Sequence, residues 1–298
     1  MGDVADDGLL ETFEAHRALL FGVAYRMLGR VTDAEDVVQE AWPRWSRADR
    51  TDVLDPRAYL VRIVTRLAID RMREHAARHE TYVGPWLPEP LPSDSVAPAP
   101  APEGADRAVL ADTVSYAVLL LMESLSPLER AVFVLREAFG LGYQEIAEAL
   151  GRDQPAVRQL AVRARRHMAE RRPRYPVDAR DQRELTERFL AAALDGDLTT
   201  LLDSLAADVT LVGDSGGQAK APRRVIEGAD KVGRFLAGVG LQTPAGMVAE
   251  FTVFNGAPAV YAHGPEGPFG VFLLDVEDGL VRRVYIVTNP EKLRHLAG

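Results

Sequence analysis

Cysteine is absent from all 298 residues, which excludes disulfides, thiolate metal sites and cysteine nucleophiles and is compatible with a reducing compartment. Lysine is nearly absent as well, occurring only at Lys220, Lys231 and Lys292, while arginine and alanine abound. That bias matches a GC-rich genome and reflects codons rather than chemistry. No apolar run reaches the length needed to cross a bilayer, and the acidic N-terminus MGDVADDGLLETFEAHR lacks the basic and apolar regions of a leader, so the chain reads as soluble and intracellular, with no membrane partner. There is no P-loop, no dinucleotide-binding glycine fingerprint after a strand and no Gly-x-Ser-x-Gly elbow. Nucleotide hydrolysis, dinucleotide binding and esterase chemistry therefore have no support, and no cofactor is implied. His75 and His79 stand one helical turn apart, but without a third ligand nearby they read as a partly solvated helix end rather than a metal site.

What is present is globular: 47% of residues are hydrophobic, and the length suits about two or three domains. The net charge of −9 is unevenly spread. Between positions 152 and 174 stand eight arginines against Asp153 and Glu170, whereas positions 176–298 hold seventeen acids against twelve Lys and Arg. Nucleic-acid binding would thus be local, with the acidic remainder suppressing non-specific attachment.

The basic cluster belongs to residues 143–166, YQEIAEALGRDQPAVRQLAVRARR, which read as a helix, a glycine turn and a second, arginine-rich helix. Ala147 supplies the small side chain that crossing helices need, Gly151 takes the positive φ of the turn, and Val157 and Leu160 return the second helix to the core. Asp153 is expected to cap that helix, and Pro155 is tolerated in its first turn. Gln154, Ala156, Arg158 and Gln159 then lie near the end that enters a major groove, and Arg163, Arg165, Arg166, Arg171, Arg172 and Arg174 carry the charge on toward phosphates.

Along the chain, residues 1–78 show helical periodicity with few breakers and read as an all-helical domain. Residues 79–107, dense in proline and containing WLPEP, read as a linker in which neither helix nor sheet persists. Helices resume over 108–175 and end in the helix-turn-helix. From 176 to 298 two helices, at about 181–195 and 197–206, precede short apolar or alternating runs, the pattern of an α+β domain with a curved sheet.

Within the first domain, Thr32 followed by Glu35 predicts a capping box opening a helix. Asp36 and Glu40 lie one turn apart with Gln39 beside them, an acidic face suited to an external basic partner or simply to solvent. On the next helix Arg62, Arg66 and Arg73 fall within about 40° of one another, opposite Leu60, Ile63 and Leu67. That basic stripe suits single-stranded nucleic acid, with Trp42, Trp45 and Tyr59 able to stack on bases, although core burial is the simpler reading of these aromatics.

A helical domain containing DAEDVVQEAW, then DPRAYLVRIVTRLAIDRMR, a linker, and SPLERAVFVLREAFGLGYQEIAEALGRDQPAVRQLAVRARRHM resembles the group IV, or extracytoplasmic function (ECF), σ factors of bacterial RNA polymerase. The resemblance implies that Asp36, Gln39 and Glu40 dock on the β′ clamp helices of core RNA polymerase, with the second helical domain on the β flap. It also implies that Arg62, Arg66 and Arg73 engage the −10 element of promoter DNA, and that Gln154, Arg158, Gln159, Arg163 and Arg166 serve recognition of the −35 element. The words YVGPWLPEP and NPEKL, with the fused C-terminal domain, further resemble the subfamily carrying a SnoaL-like extension, whose fold is the NTF2-like cone. There the fused domain holds the two σ domains through the linker. Trp86, Leu87, Pro88, Glu89 and Pro90, with Asp214, Gly216, Gly217, Asn289, Pro290 and Leu293, are the regulatory contact residues so implied. Where that subfamily commonly has Asp-Gly-Gly-Gly, this chain has Asp214, Ser215, Gly216 and Gly217, which puts any need for glycine at 215 in question.

Cone-shaped domains enclose a pocket that could take an unknown small ligand, and some relatives use an Asp or His base in it. Asp214, Tyr261, His263, Asp275 and Tyr285 are the polar residues on expected strands, with Tyr261 and His263 sharing a face by alternation. Two other readings stand beside the σ factor: a pocket cyclase or isomerase with a σ-like regulatory half, and a one-component repressor using the helix-turn-helix alone.

Overall fold

The computed structural model describes residues 3–48, 53–79, 82–93, 115–171, 179–219, 221–240 and 246–297. The chain divides into one unit of residues 1–80 with 94–172, and a second of residues 81–93 with 173–298. The proline-rich stretch expected as a plain linker is therefore split. Its first part is built into the C-terminal unit, while 94–107 lie outside the described residues, as do Arg172 and Arg174.

In the first unit α1 (Asp3–Leu28), α2 (Val31–Ser46) and α3 (Pro56–His79) pack through residues at three- and four-residue spacing, among them Leu20, Ala24 and Met27, Ala34, Val38 and Ala41, and Leu60, Val64 and Ala68. Gly29, at φ 68°, ends α1 by returning its N–H to the Tyr25 carbonyl at 2.7 Å. The expected Thr32 capping box does not form. Burial of Val31 starts α2 two residues early with Arg30 as N-cap, which leaves Thr32 inside the first turn, where its hydroxyl has no cap to make. Trp45 is buried with its indole N–H on the Leu9 carbonyl at 3.1 Å, so core burial holds for it, whereas Trp42, edge-on against Phe13, is half-buried.

A second helical group follows: α4 (Tyr116–Met122), α5 (Pro127–Phe133) running on through a wider π-type turn at Val134–Ala138, α6 (Tyr143–Leu150) and α7 (Gln154–Arg171). Ser126 and Glu129 form a reciprocal capping box at the start of α5.

The second unit begins with α8 (Ala179–Asp195) and α9 (Leu198–Ser204), then β1 (Leu205–Asp214), β2 (Ile226–Glu227), α10 (Ala229–Gly240), β3 (Val248–Phe254), β4 (Ala257–Gly264), β5 (Gly267–Glu277), β6 (Leu280–Val287) and the short α11 (Pro290–Leu293). The strands form one sheet in the order β2-β1-β6-β5-β4-β3, with β1 parallel to β6 and the other neighbours antiparallel. Two of the hairpins close on Asn255-Gly256 and Asp278-Gly279, every one of these residues having φ > 0, as two-residue turns of this hand require. Register shifts in β1, β4 and β5 bend the sheet over a core of Phe189, Leu201, Val209, Leu211, Val232 and Val284. This is the NTF2-like α+β cone expected from the helix-then-strand order. Among the described residues no helix is long and apolar enough to cross a membrane.

Gly151 lies at φ 62°, and a Cβ there would meet only the Arg66 guanidinium at 3.7 Å, so backbone conformation alone resists substitution. Gly151→Ala is expected to destabilise the first unit by roughly 1–2 kcal/mol, read as a lower midpoint in thermal denaturation followed by circular dichroism.

Candidate nucleic-acid interface and C-terminal clamp

The α6–α7 turn has the geometry of a DNA-reading motif. Gly151 is left-handed, Ala147, Val157 and Leu160 are buried, and Asp153 Oδ1 accepts the Ala156 N–H at 2.7 Å to cap α7. On the outer side of α7, Arg158, Gln159, Arg163 and Arg166 are exposed, with Gln154 and Ala156 half-exposed. Several of these side chains are steadied by neighbours: Arg158 reaches Gln154 Oε1 at 3.3 Å and lies over the Tyr143 ring, and Arg163 pairs with Glu129 at 3.2 Å. Arg165 is held by Glu137 at 2.7 Å. The side chain of Arg171 is not described.

In the first helical group Asp36, Gln39 and Glu40 share the solvent face of α2, as expected. Arg71 approaches Asp36 and Glu40 at 3.9 Å each, so this acidic face already has one loose basic neighbour. Arg62 stacks on Tyr59 at 4.7 Å, and Arg73 pairs with Asp70 at 3.1 Å. His75 Nε2 is 3.7 Å from Asp33, and the His79 side chain lies outside the described residues.

Arg66 does something its sequence position did not disclose. Its Nε donates to the Ala149 carbonyl at 2.9 Å and its Nη2 approaches that of Glu148 at 3.5 Å, closing the C-terminal end of the first helix of the turn motif. Such carbonyls carry the negative end of the helix dipole and lack partners in their own helix. Two further arginines join the helical groups of this unit. Arg130, buried, donates to the carbonyls of Met27 at 2.8 Å and Met122 at 2.9 Å and pairs with Glu123. Arg26, only 3% exposed, donates to Gly22 O and lies over the Phe139 ring at 5.1 Å, and burial lowers its pKa to about 10.

In the C-terminal unit three segments distant in sequence meet at one carboxylate. Asp214, 1% exposed, accepts the Tyr82 hydroxyl at 2.5 Å and the Gly216 N–H at 3.1 Å on Oδ1, and the Leu87 N–H at 2.8 Å and Lys292 Nζ at 2.7 Å on Oδ2. Lys292, itself 1% exposed, also donates to the Leu87 carbonyl and lies over the Trp86 ring at 4.1 Å. Asn289 caps α11 through its side-chain oxygen, donates from Nδ2 to the Tyr82 hydroxyl at 2.8 Å, and is followed by Pro290 in the first turn. The rest of the 82–93 segment is tied down in turn: His295 Nε2 donates to Pro90 O at 2.8 Å, and Leu91 exchanges two hydrogen bonds with Asn255, at 2.9 and 3.0 Å. Leu87, Pro88, Glu89, Pro90 and Leu293 are buried.

Trp86 to Pro90, Asp214 to Gly217 and Asn289 to Leu293 are thus brought together, all within one unit. Glycine is needed at 216, where φ is 56° and a Cβ would stand 2.5 Å from Asn289 Nδ2. At 215 it is not: Ser215 has no positive φ, and its hydroxyl accepts the Gly217 N–H at 3.3 Å. Lys292 lies within the expected Asn289–Leu293 segment, whereas Tyr82, Asn255 and His295 stand outside the expected set; the Asn-Gly dipeptide was the available signal for Asn255.

On the other side of the sheet α8 and α10 enclose a cavity of about 890 Å³, whose wall includes Phe189, Val260, Ala262, Phe272, Leu274 and Ile286. None of the five polar residues considered as catalytic lines it. By strand alternation Asp214, Tyr261, His263, Asp275 and Tyr285 point away, toward the face that bears the 82–93 segment and the C-terminus. There Tyr261 and His263 do stack, at 4.9 Å, but His263 pairs with Glu250 and the Tyr261 hydroxyl donates to Leu296 O at 3.1 Å. Burial pushes the Asp275 carboxyl up even with Arg283 at 2.7 Å, and pushes the Tyr285 phenol well above its usual range. These are satisfied wall residues, and the described residues lining the cavity include no carboxylate or histidine.

Residues 12–78 match the Sigma-70 region 2 family and residues 115–168 the Sigma-70 region 4 family. With the exposed turn motif on the second module, these matches define a σ factor. Among known proteins, the chain is 38% identical to the ECF RNA polymerase sigma factor SigJ of Mycobacterium tuberculosis, over 94% of this chain and 91% of SigJ. It is 36% identical to the probable ECF RNA polymerase sigma factor SigI of the same species, over 96% and 95%. The crystal structure of M. tuberculosis SigJ superposes with a TM-score of 0.73 at 36% identity, covering 96% of this chain and 98% of that one. The chain belongs to the ECF σ factors, non-enzymatic factors of transcription initiation.

The clamp makes a direct prediction. Lys292→Met leaves the Asp214 carboxylate buried without its cation, which should cost about 3–5 kcal/mol. The check is amide hydrogen exchange at Leu87, expected to accelerate by roughly 100-fold or more if the segment is released.

Proposed function

We propose that this chain brings core RNA polymerase to a bipartite promoter, with α7 reading the −35 element and the basic stripe of α3 engaging the −10 element as it melts. The observation that carries the reading is the 38% identity with an ECF σ factor over 94% of the chain, combined with the exposed row Arg158, Gln159, Arg163 and Arg166 beyond the turn. Exposure of Asp36, Gln39 and Glu40 supports docking on the β′ clamp helices, and the second module would sit on the β flap. Work with polymerase and promoter DNA implies a cytoplasmic site of action.

The packing within the first unit is read as a closed state. Arg66 cannot both hold the α6 carbonyls and contact promoter DNA, so engagement requires the two helical modules to separate. A junction resting on arginine-to-carbonyl hydrogen bonds has the polar character of contacts that open and re-form. The C-terminal unit would control that opening through residues 82–93, because clamping them shortens the free tether between the modules.

In vitro transcription with core polymerase on a promoter library tests both halves, comparing the full chain with chains ending near residues 176 and 288. Specific initiation is expected, and loss of 289–298 should alter promoter use by removing Lys292. Failure of every form to initiate specifically, despite folded protein and active core, would overturn the reading. Arg158→Ala or Gln159→Ala should change −35 preference by about tenfold at one position, whereas Arg166→Ala should weaken binding alike on all sequences.

A further inference from the structure

The cavity of the C-terminal unit is not used by any part of the σ-factor reading. Its volume, about 890 Å³, lies in the range of sites for small organic molecules. Among the described residues that line it, only Arg234 and Thr288 carry polar side chains. Arg234 is two-thirds exposed, and its Nε donates to the equally exposed Asp230 carboxylate at 2.9 and 3.0 Å, so its charge sits in water at the rim. The Thr288 hydroxyl turns to the Asp214 carbonyl at 3.4 Å. Apart from that exposed arginine, a charged ligand would leave water and find no counter-charge among the described lining residues, at a cost of several kcal/mol.

The rim points the same way. Phe251 and Phe269 border the cavity while remaining 46% and 38% exposed, and Leu194 beside them is also exposed. Large side chains in this setting are the wall of a binding site rather than scattered surface residues, since covering them removes apolar area from water. A concave space bounded by a sheet and two helices suits a small molecule better than a flat partner.

We infer that the C-terminal unit is a receptor for one neutral, apolar small molecule, held in this cavity by shape and desolvation with no charge pairing. This goes beyond the transcriptional reading and is tested without polymerase, so the failure of either leaves the other standing.

The experiment is fluorescence titration of the full chain with Nile red, a neutral apolar dye, alongside light scattering to fix the oligomeric state. The expected result is saturable binding at one dye per chain with micromolar affinity. Ala262→Trp, which fills the cavity from β4, should weaken binding at least about tenfold, as should the milder Ala249→Trp at its edge if the first variant does not fold. Dodecanol should displace the dye at least about tenfold better than dodecanoate. No saturable binding, undiminished binding in a folded cavity-filled variant, or a dimer that excludes the dye would overturn the inference. Displacement by dodecanoate equal to or better than that by dodecanol would overturn the neutral class and assign Arg234 a ligand carboxylate.

Discussion

The buried carboxylate of Asp214 organises the C-terminal unit. A carboxylate out of water is tolerated only when its lone pairs are filled, and here Tyr82, Gly216, Leu87 and Lys292 fill them. Because the donors come from three separate segments, satisfying one side chain fixes the paths of all three. Residues 82–93 become part of the cone, α11 is oriented so that Lys292 points inward, and the 214–217 turn needs glycine at 216 to let Asn289 pass. Lysine suits this place because its ammonium is a compact charge that fits beneath the Trp86 ring while donating to two oxygens.

In the helical unit the joining groups are arginines, and their partners are largely carbonyls. Arg66 closes the end of α6, and Arg130 takes the Met27 and Met122 carbonyls while pairing with Glu123. A guanidinium offers several donors in a fixed fork, which matches helix ends where carbonyls lack intrahelical partners. Contacts of this kind fix the orientation of one helix end against another through direction-specific hydrogen bonds. Arg66 belongs at once to the basic stripe of α3 and to the junction with α6.

Much of this was legible beforehand, and the reasons are local. Gly151, Asp153, Ala147 and Leu160 specify the turn motif because each answers a requirement of neighbouring backbone, and all four stand where their spacing predicts. Thr32 shows the limit of local reasoning: its pattern with Glu35 suits a cap, yet burial of Val31 moved the helix start by two residues. The alternation of β4 correctly grouped Tyr261 with His263, but period two cannot say which face meets helices and which meets the returning chain.

The sequence by itself determined the order of modules, the helix-turn-helix and its exposed arginine row, and the helix-then-strand character of the last domain, since these follow from periodicity, turn chemistry and charge. Tertiary structure alone decided that WLPEP belongs to the C-terminal unit, that the acids and histidine of the sheet face away from the cavity, and that Arg66 holds the end of α6. Each joins residues about 80 to 200 positions apart or depends on which face of a sheet becomes buried. Such pairings are set by the desolvation of charged groups when the whole chain packs, a condition no local window contains.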